Sequence, residues 1–202
     1  MHISEGVLSA PVLAGGAVLA ALGVAWGLRC LHSSRIMETS VLSAAFFVAS
    51  LVHVPIGPGS VHLILNGLLG AFLGWVAFPA LCTALLLQAL LFSFGGLTVL
   101  GVNTVNMALP AVLCGLLFRH WFGQGGTKCL VSAFLCGFLS VAGAGLLTAL
   151  SLGLSDEVFV ESARLILLAH IPVMIIEGII TAFVVSFIVR VRPESIIHGV
   201  RP

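Results

Sequence analysis

Residues 7–28 read VLSAPVLAGGAVLAALGVAWGL, an uncharged and mainly apolar stretch that is followed by Arg29, His32 and Arg35. About 20 consecutive apolar residues are enough to cross a bilayer as a helix, so this stretch predicts a membrane-spanning helix. The rest of the chain is similar: 60% of its 202 residues are hydrophobic and only 7% are charged, and the mean hydropathy is +1.25. Soluble domains carry about 25% charged residues. The composition therefore excludes a soluble domain and predicts a polytopic helical membrane protein.

Six further apolar runs follow the first, separated by the few places where charge, proline or glycine collects. The third and fourth runs are short enough to be tilted or partly re-entrant. Seven spans take up roughly 140 residues, so we expect residues 1–202 to form a single all-α transmembrane domain with short loops. The predicted spans are residues 7–28, 37–52, 62–78, 80–92, 105–117, 129–152 and 163–189.

The distribution of positive charge predicts how the chain is oriented. Cytoplasmic loops of membrane proteins are enriched in Lys and Arg. With the amino terminus outside and the carboxyl terminus inside, only Arg164 of the eight basic residues lies on the outer side. A cleaved signal peptide is the alternative interpretation of the first run, but Glu5 precedes that run and the basic residues follow it, which favours a retained helix. The basic residues then on the cytoplasmic side are Arg29, Arg35, Arg119, Lys128, Arg190, Arg192 and Arg201.

The predicted topology brings three irregular segments to the same outer face. They are residues 1–6, the Pro/Gly-rich loop 54–60 that leads to His62, and the Gly-rich stretch 95–103 that ends in Asn103. Irregular backbone at membrane depth has to line a cavity or be buried in protein. We therefore expect an outward-facing pocket formed by these segments.

The amino terminus has a chemical option that no internal position has. The α-amino group of Met1, together with the backbone nitrogen and the imidazole of His2, is able to close adjacent chelate rings around one metal ion. A further imidazole would complete four nitrogen donors in a plane, a set that suits Ni(II), Cu(II) and Co(II) rather than Zn(II) or Mg(II). The alternative interpretation is that His2 is simply an early residue on a solvated chain end.

His62 is the best candidate for the additional imidazole, because it follows the Pro/Gly loop and begins a span on the outer face. His53, at the outer end of another span, is the rival. Four amides are near the same outer face, and each of them either hydrogen-bonds to a ligating imidazole or links helices: Asn66, Asn103, Asn106 and Gln88. For Asn106 and Gln88 the link between helices is favoured.

Several stretches of the chain resemble the CbiM/NikM family, the substrate-binding membrane components of energy-coupling factor importers for cobalt and nickel. They are the opening Met1-His-Ile-Ser-Glu-Gly6, the segment from Pro58 to Gly70 that contains His62, and the segment from Gln88 to Asn103 that contains Gly95, Gly96 and Gly101. The resemblance runs through most of the chain.

The resemblance implies a helical bundle and a metal site formed by Met1, His2 and His62, with Co2+ or Ni2+ as the transported substrate and no organic cofactor. It also implies partners: a transmembrane coupling protein, two cytoplasmic ATP-binding subunits and, as a separate polypeptide, a small accessory membrane subunit. The expected location is the plasma membrane of a bacterium or archaeon, and the uptake would supply cobalamin biosynthesis or nickel enzymes.

Other features of the chain bear on the alternatives. It has no G-x-x-x-x-G-K-[ST] motif for binding ATP and no H-E-x-x-H motif of a metalloprotease, so we expect no enzyme. The net charge of +1 leaves no basic surplus for nucleic acid. A permease or channel that is driven by an ion gradient, without partners, remains the main alternative. Glu177, with His170 two turns before it, is either functional or hydrogen-bonded inside the bundle.

Overall fold

The computed structural model describes residues 2–51, 53–56 and 59–192, with side chains described for residues 2–51 and 62–192. The prediction of a mostly helical chain is confirmed. The α-helices of the described residues are α1 (Ala10–Cys30), α2 (Ile36–Ala49), α3 (Asn66–Leu73), α4 (Ala77–Phe92), α5 (Leu100–Phe122), α6 (Gly126–Gly153), α7 (Val160–Ala169) and α8 (Ile171–Val191). Short 3-10 turns precede α2, α4 and α7 at Ser33–Arg35, Gly74–Val76 and Glu157–Phe159.

The segment that the sequence analysis treats as a loop between the second and third spans contains a short β-hairpin. Its antiparallel strands are β1 (His53–Ile56) and β2 (Gly59–His62). The register pairs His53 with His62 and Ile56 with Gly59. The β-branched residues Val54, Ile56 and Val61 favour strands, and their preference explains why this part of an otherwise helical chain is extended.

Five stretches of helix within the described residues are long and apolar enough to cross a membrane: Ala10–Cys30, Asn66–Phe92, Leu100–Phe122, Gly126–Gly153 and Glu157–Val191. Their outward surfaces carry exposed apolar side chains such as Leu22 and Phe183, as expected where a protein meets lipid. The chain is therefore a multi-pass membrane protein. α2 has 14 residues and is about 21 Å long, shorter than a typical hydrocarbon core, so the number of seven spans stays a prediction.

α3 runs in the same direction as α5. Asn66, at the start of α3, donates a hydrogen bond to the carbonyl of Met107. One turn later, Gly70 packs against the backbone of Ala111, which is one turn further along α5. The two helices therefore lie side by side and parallel.

α4 runs in the opposite direction to α5, and α1 shows this because it contacts both. Gly16, near the start of α1, lies against Val102 at the start of α5. Gly27, near the end of α1, lies against Pro79 at the start of α4. Since α3 is parallel to α5, the chain reverses between α3 and α4, at Gly74, whose φ of +54° favours glycine.

The structure corrects two of the predicted span boundaries. The predicted third span, 62–78, contains the helix Asn66–Leu73 and ends at Gly74 rather than at Pro79. Pro79 instead lies in the first turn of α4, where a missing backbone N–H costs no helical hydrogen bond. At the next boundary, α5 begins at Leu100 rather than at residue 105, so Asn103 belongs to its first turn and not to a loop.

The two ends of the bundle differ in charge. We call the end where α1 and α5 begin the proximal end, and the end where α1 finishes and α6 begins the distal end. Five of the charged residues described lie at or next to the proximal end, and only one of them is basic: Glu5, Asp156, Glu157, Glu161 and Arg164. Six basic residues lie toward the distal end: Arg29, Arg35, Arg119, Lys128, Arg190 and Arg192.

α3 is the centre of the fold. All eight of its residues are buried, and it packs against α5, α6 and α8. Small residues allow this close approach, as in other membrane helix pairs: Gly67 faces Gly137 of α6, and Gly70 faces Ala111 and Gly115 of α5. Helices α7 and α8 follow one another around His170, with Pro172 in the first turn of α8.

Gly67→Ala tests this close packing. A β-carbon at residue 67 would lie 2.5 Å from the α-carbon of Gly137, so we expect a loss of about 1–3 kcal/mol of stability. Gly15→Ala is the matched control, because Gly15 is also helical but has no atom near the added carbon. Thermal unfolding in detergent should show a lower midpoint for Gly67→Ala alone, and equal midpoints would contradict the packing described.

Candidate functional site

The first described residues of the chain are buried at the proximal end. Asn103 in the first turn of α5 holds Ile3 by both main-chain groups: its Oδ1 accepts from the backbone N–H (3.0 Å) and its Nδ2 donates to the carbonyl (3.1 Å). The Ile3 side chain is fully buried in a cluster that includes Val99, Leu152 and Ile166. The position of the amino-terminal segment is therefore set by the bundle itself.

A second contact holds the same segment to the loop before α5. Oε1 of Glu5 accepts hydrogen bonds from the backbone N–H (3.0 Å) and the hydroxyl (3.1 Å) of Thr98. Both bonds lower the pKa of the Glu5 carboxyl below its ordinary value, and the bond from the backbone N–H contributes most. The loop comes close because of its glycines: a β-carbon at Gly95, where φ is +75°, would lie 3.0 Å from Nδ2 of Asn103 and 3.7 Å from Cδ2 of His2.

Two imidazoles meet in this part of the structure. The ring centroids of His2 and His62 are 4.6 Å apart with an angle of 32° between the planes. Both side chains are buried, at 5% and 3% exposure. His2 comes from the amino-terminal segment and His62 from the last position of β2, so the contact joins parts of the chain that are 60 residues apart in sequence. Sequence reasoning singles out both residues, and the structure brings them together.

Gln88 of α4 determines which nitrogen of His2 carries the proton. Its amide nitrogen donates to the carbonyl of Phe47 (3.3 Å) and to the hydroxyl of Ser50, so its oxygen faces the imidazole. Nε2 of His2 lies 2.8 Å from that oxygen and must be the donor, because an amide oxygen only accepts. The lone pair of the ring is then on Nδ1, the nitrogen nearest to the main chain.

A main-chain carbonyl has the same effect on His62. Its Nδ1 donates to the carbonyl of Leu63 at 2.7 Å, which places the lone pair of this ring on Nε2. Histidine binds metals as the neutral imidazole, and in that form Nε2 is the nitrogen of His62 that is able to do so.

The remaining predicted site residues have different positions. Met1 lies outside the described residues, as does the side chain of His53, whose backbone pairs with His62 in the hairpin. Asn66 donates to the carbonyls of Met107 (3.1 Å) and Ser140 (3.2 Å), so its amide nitrogen joins α3 to α5 and α6. Asn103 acts on Ile3, next to His2. Among the described residues, no three or more His, Cys, Asp or Glu side chains lie close enough together to hold a metal ion.

Two buried groups of the last helices were left open by the sequence. Oε1 of Glu177 accepts from the backbone N–H groups of Ile64 (2.5 Å) and Leu65 (2.7 Å), and its Oε2 has no hydrogen-bond partner among the described residues. Nδ1 of His170 donates to the carbonyl of Ile166 (2.6 Å). The carboxyl thus hydrogen-bonds to the main chain just after His62, not to Asn106 or His170.

Sequence reasoning ranks the two roles of Gln88 in the wrong order. For both Gln88 and Asn106 it favours a link between helices over a hydrogen bond to an imidazole. Both amides do link helices, Asn106 to Ser151 of α6 and Gln88 to α2, but the oxygen of Gln88 also hydrogen-bonds to His2. The feature of the sequence that points to Gln88 is a single amide near one end of an apolar span. Asn106 is also a single amide in an apolar span, so this feature does not distinguish the two residues.

Comparisons with known proteins show which family this chain is similar to. A family model described as "Cobalt uptake substrate-specific transmembrane region" (CbiM) matches residues 2–195. A Haemophilus influenzae protein named "Putative metal transport protein" is 49% identical over 197 residues, covering 96% of each chain. The "Cobalt transport protein CbiM" of Sorangium cellulosum is 30% identical over 210 residues, covering 96% of this chain and 93% of its own.

One solved structure, described as "Crystal Structure of an transition metal transporter", superposes with a TM-score of 0.84 at 29% identity. The superposition covers 98% of this chain and 96% of the other. The described fold is therefore similar to that of a protein whose structure is described as a transition metal transporter.

Gln88→Leu tests the link between α4 and the His2 ring. Removing the acceptor lets the ring adopt the other tautomer, and loss of such an outer hydrogen bond weakens metal binding by about 10–100-fold. Asn106→Leu is the matched control, because it also replaces a buried amide in a span. Calorimetric titration of Ni2+ into the purified protein should show weaker binding for Gln88→Leu only, and equal affinities of the two variants would contradict the assignment.

Proposed function

The chain belongs to the CbiM family of cobalt uptake substrate-specific transmembrane regions, and on this basis we propose that it captures Co2+ or Ni2+ as the membrane substrate-binding component of an energy-coupling factor importer. Metal transport is what the family and the two relatives named above have in common, and cobalt is the metal named for the family and for the Sorangium cellulosum protein. The observation that carries the proposal for this chain is the contact between the buried rings of His2 and His62.

The proposed ligands are four nitrogens. They are the α-amino group of Met1, the backbone nitrogen of His2, Nδ1 of His2 and Nε2 of His62. The hydrogen bond from Nε2 of His2 to Gln88 supports Nδ1 as the ligand, and only Nδ1 is near enough to its own backbone nitrogen for a small chelate ring. The bond from Nδ1 of His62 to Leu63 supports Nε2 in the same way. Four nitrogens in a plane suit Ni(II) and Co(II).

The proposed orientation puts this site on the outer side of the membrane. The six basic residues of the distal end would face the cytoplasm, in accord with the enrichment of Lys and Arg in cytoplasmic loops. The proximal end, with His2 and His62, would then face outward in the plasma membrane of a bacterium or archaeon. The chain would cross the membrane seven times, with α2 and the pair formed by α3 and α4 supplying the spans that are not long single helices.

The proposed partners supply the energy. The sequence has no P-loop motif for ATP, so import against a gradient takes its energy from other subunits or from an ion gradient. The proposed subunits are a transmembrane coupling protein, two cytoplasmic ATP-binding subunits and a small accessory membrane subunit. The captured ion would serve cobalamin biosynthesis or nickel enzymes. The alternative function, a permease that works alone on an ion gradient, differs in a property that vesicles measure directly.

Inserting two glutamines between Met1 and His2 tests the ligand set. A large residue after the initiator methionine keeps that methionine in place, so the insertion moves the α-amino group two residues away from the nitrogens of His2 and breaks up the adjacent chelate rings, and we expect no detectable binding of Ni2+ or Co2+. Two glutamines inserted between Gly123 and Gln124, in the exposed distal turn, are the control for expression and membrane insertion. Binding that survives the first insertion would contradict the chelate.

Uptake into vesicles tests the proposed division of labour. We expect proteoliposomes that contain this chain alone to take up no 63Ni2+, and uptake to appear only with the coupling protein, both ATP-binding subunits and ATP. Vesicles with an ATP-binding subunit that has lost its P-loop lysine are the control. Uptake by the chain alone that follows an imposed ion gradient would instead establish the permease.

A further inference from the structure

Glu177 hydrogen-bonds to the main chain just after His62, and it has not yet been given a function. Its side chain is fully buried in α8, where a carboxyl group is costly unless it is paired or hydrogen-bonded. One of its oxygens, Oε1, accepts two backbone N–H groups, those of Ile64 and Leu65. These are the second and third residues after His62.

The two N–H groups need a partner because of where α3 begins. Ile64 and Leu65 are buried, at 0% and 9% exposure, and α3 starts at Asn66 in the interior of the protein. The first N–H groups of a helix have no partner within the helix, and α3 has no side-chain cap of its own. A buried N–H without a partner is costly, so the carboxyl of α8 provides the missing acceptor.

The backbone at this junction also has a conformation that needs support. Leu65 has a φ of +52°, in the left-handed region that residues other than glycine rarely adopt. The hydrogen bonds from Ile64 and Leu65 to one oxygen hold the two peptide groups in this arrangement. Residue 63 is joined directly to this turn, and its carbonyl accepts the hydrogen bond from Nδ1 of His62.

We propose that Glu177 is a positioning residue for His62: by binding the N–H groups of Ile64 and Leu65 it fixes the turn after β2, and so the Leu63 carbonyl that orients the imidazole. The proposal rests on the proposed function, in which His62 is a metal ligand. Glu177 acts through the position of its oxygen rather than through its charge. The side chain therefore has to be long enough to reach from α8 to the two N–H groups.

Two substitutions separate place from charge. In Glu177→Gln the side chain keeps its length, and the amide oxygen is able to accept the same two hydrogen bonds without a charge. In Glu177→Asp the charge remains, but the oxygen is withdrawn by one methylene from the turn. Thr181→Val, one helical turn further along α8, is the control, because it replaces a buried polar group of the same helix that has no hydrogen bond to the turn.

The measurements are the affinity for Ni2+ and the visible ligand-field spectrum of the fully loaded protein. We expect Glu177→Asp to bind about 10–100-fold more weakly, as other changes behind a metal ligand do, and its loaded spectrum to shift because His62 is turned. Glu177→Gln and Thr181→Val should match the wild type in both respects. A merely structural loss would lower the melting temperature but leave the spectrum of the loaded protein unchanged.

Each contrary result has a separate meaning. If Glu177→Asp matches the wild type and Glu177→Gln does not, the charge matters and the positioning role is overturned. Wild-type affinity and spectrum in both variants would also overturn it. His62→Ala, measured in parallel, tests the proposed function. If His62→Ala binds Ni2+ like the wild type, His62 is not a ligand. If His62→Ala loses binding while Glu177→Asp matches the wild type, only the positioning role of Glu177 is overturned.

Discussion

The burial of Ile3 is the constraint on which the arrangement of the site depends. The first residues of a chain are usually frayed, and ordering each residue costs about 1–2 kcal/mol of backbone entropy. Here a fully buried side chain and two hydrogen bonds to Asn103 offset that cost. The main chain at His2, the neighbouring residue, is therefore fixed near His62, and the hydrogen bond to Gln88 then orients its ring. Chemistry that uses the amino terminus becomes feasible only on such an anchored segment.

The position of His62 follows from a different constraint, the shortness of α3. α3 has only eight residues, because it begins inside the bundle and the chain reverses at Gly74. The N–H groups just before α3 are therefore buried, and an acceptor from another helix is needed. Glu177 is that acceptor, so one buried carboxyl joins α8 to the turn between His62 and α3. The packing of the central helix α3 and the position of His62 therefore depend on the same hydrogen bonds.

The sequence predicts the helical membrane class from composition, and it predicts His2 and His62 from chemistry, because a second-position histidine and a histidine after a Pro/Gly loop are visible locally. The contact between those two rings depends on the tertiary structure and is not visible in the local sequence. Gln88 and Asn106 show the limit: both are single amides in apolar spans, and nothing near them in sequence says which one meets an imidazole. The break at Gly74 was missed for a similar reason, since Pro79 is the stronger local signal.

The three buried polar groups around the two imidazoles explain how such a site would distinguish between metals. Intrinsic affinities of divalent metals follow a fixed order, so selectivity has to come from geometry. Gln88 holds one ring through Nε2, Asn103 holds the main chain beside it, and Glu177 holds the turn that carries the other ring. Under the proposed function, a support that resists rearrangement favours ions that accept a planar nitrogen set. It disfavours Zn(II), which prefers a tetrahedron, because reaching that geometry would require the rings to leave their hydrogen bonds.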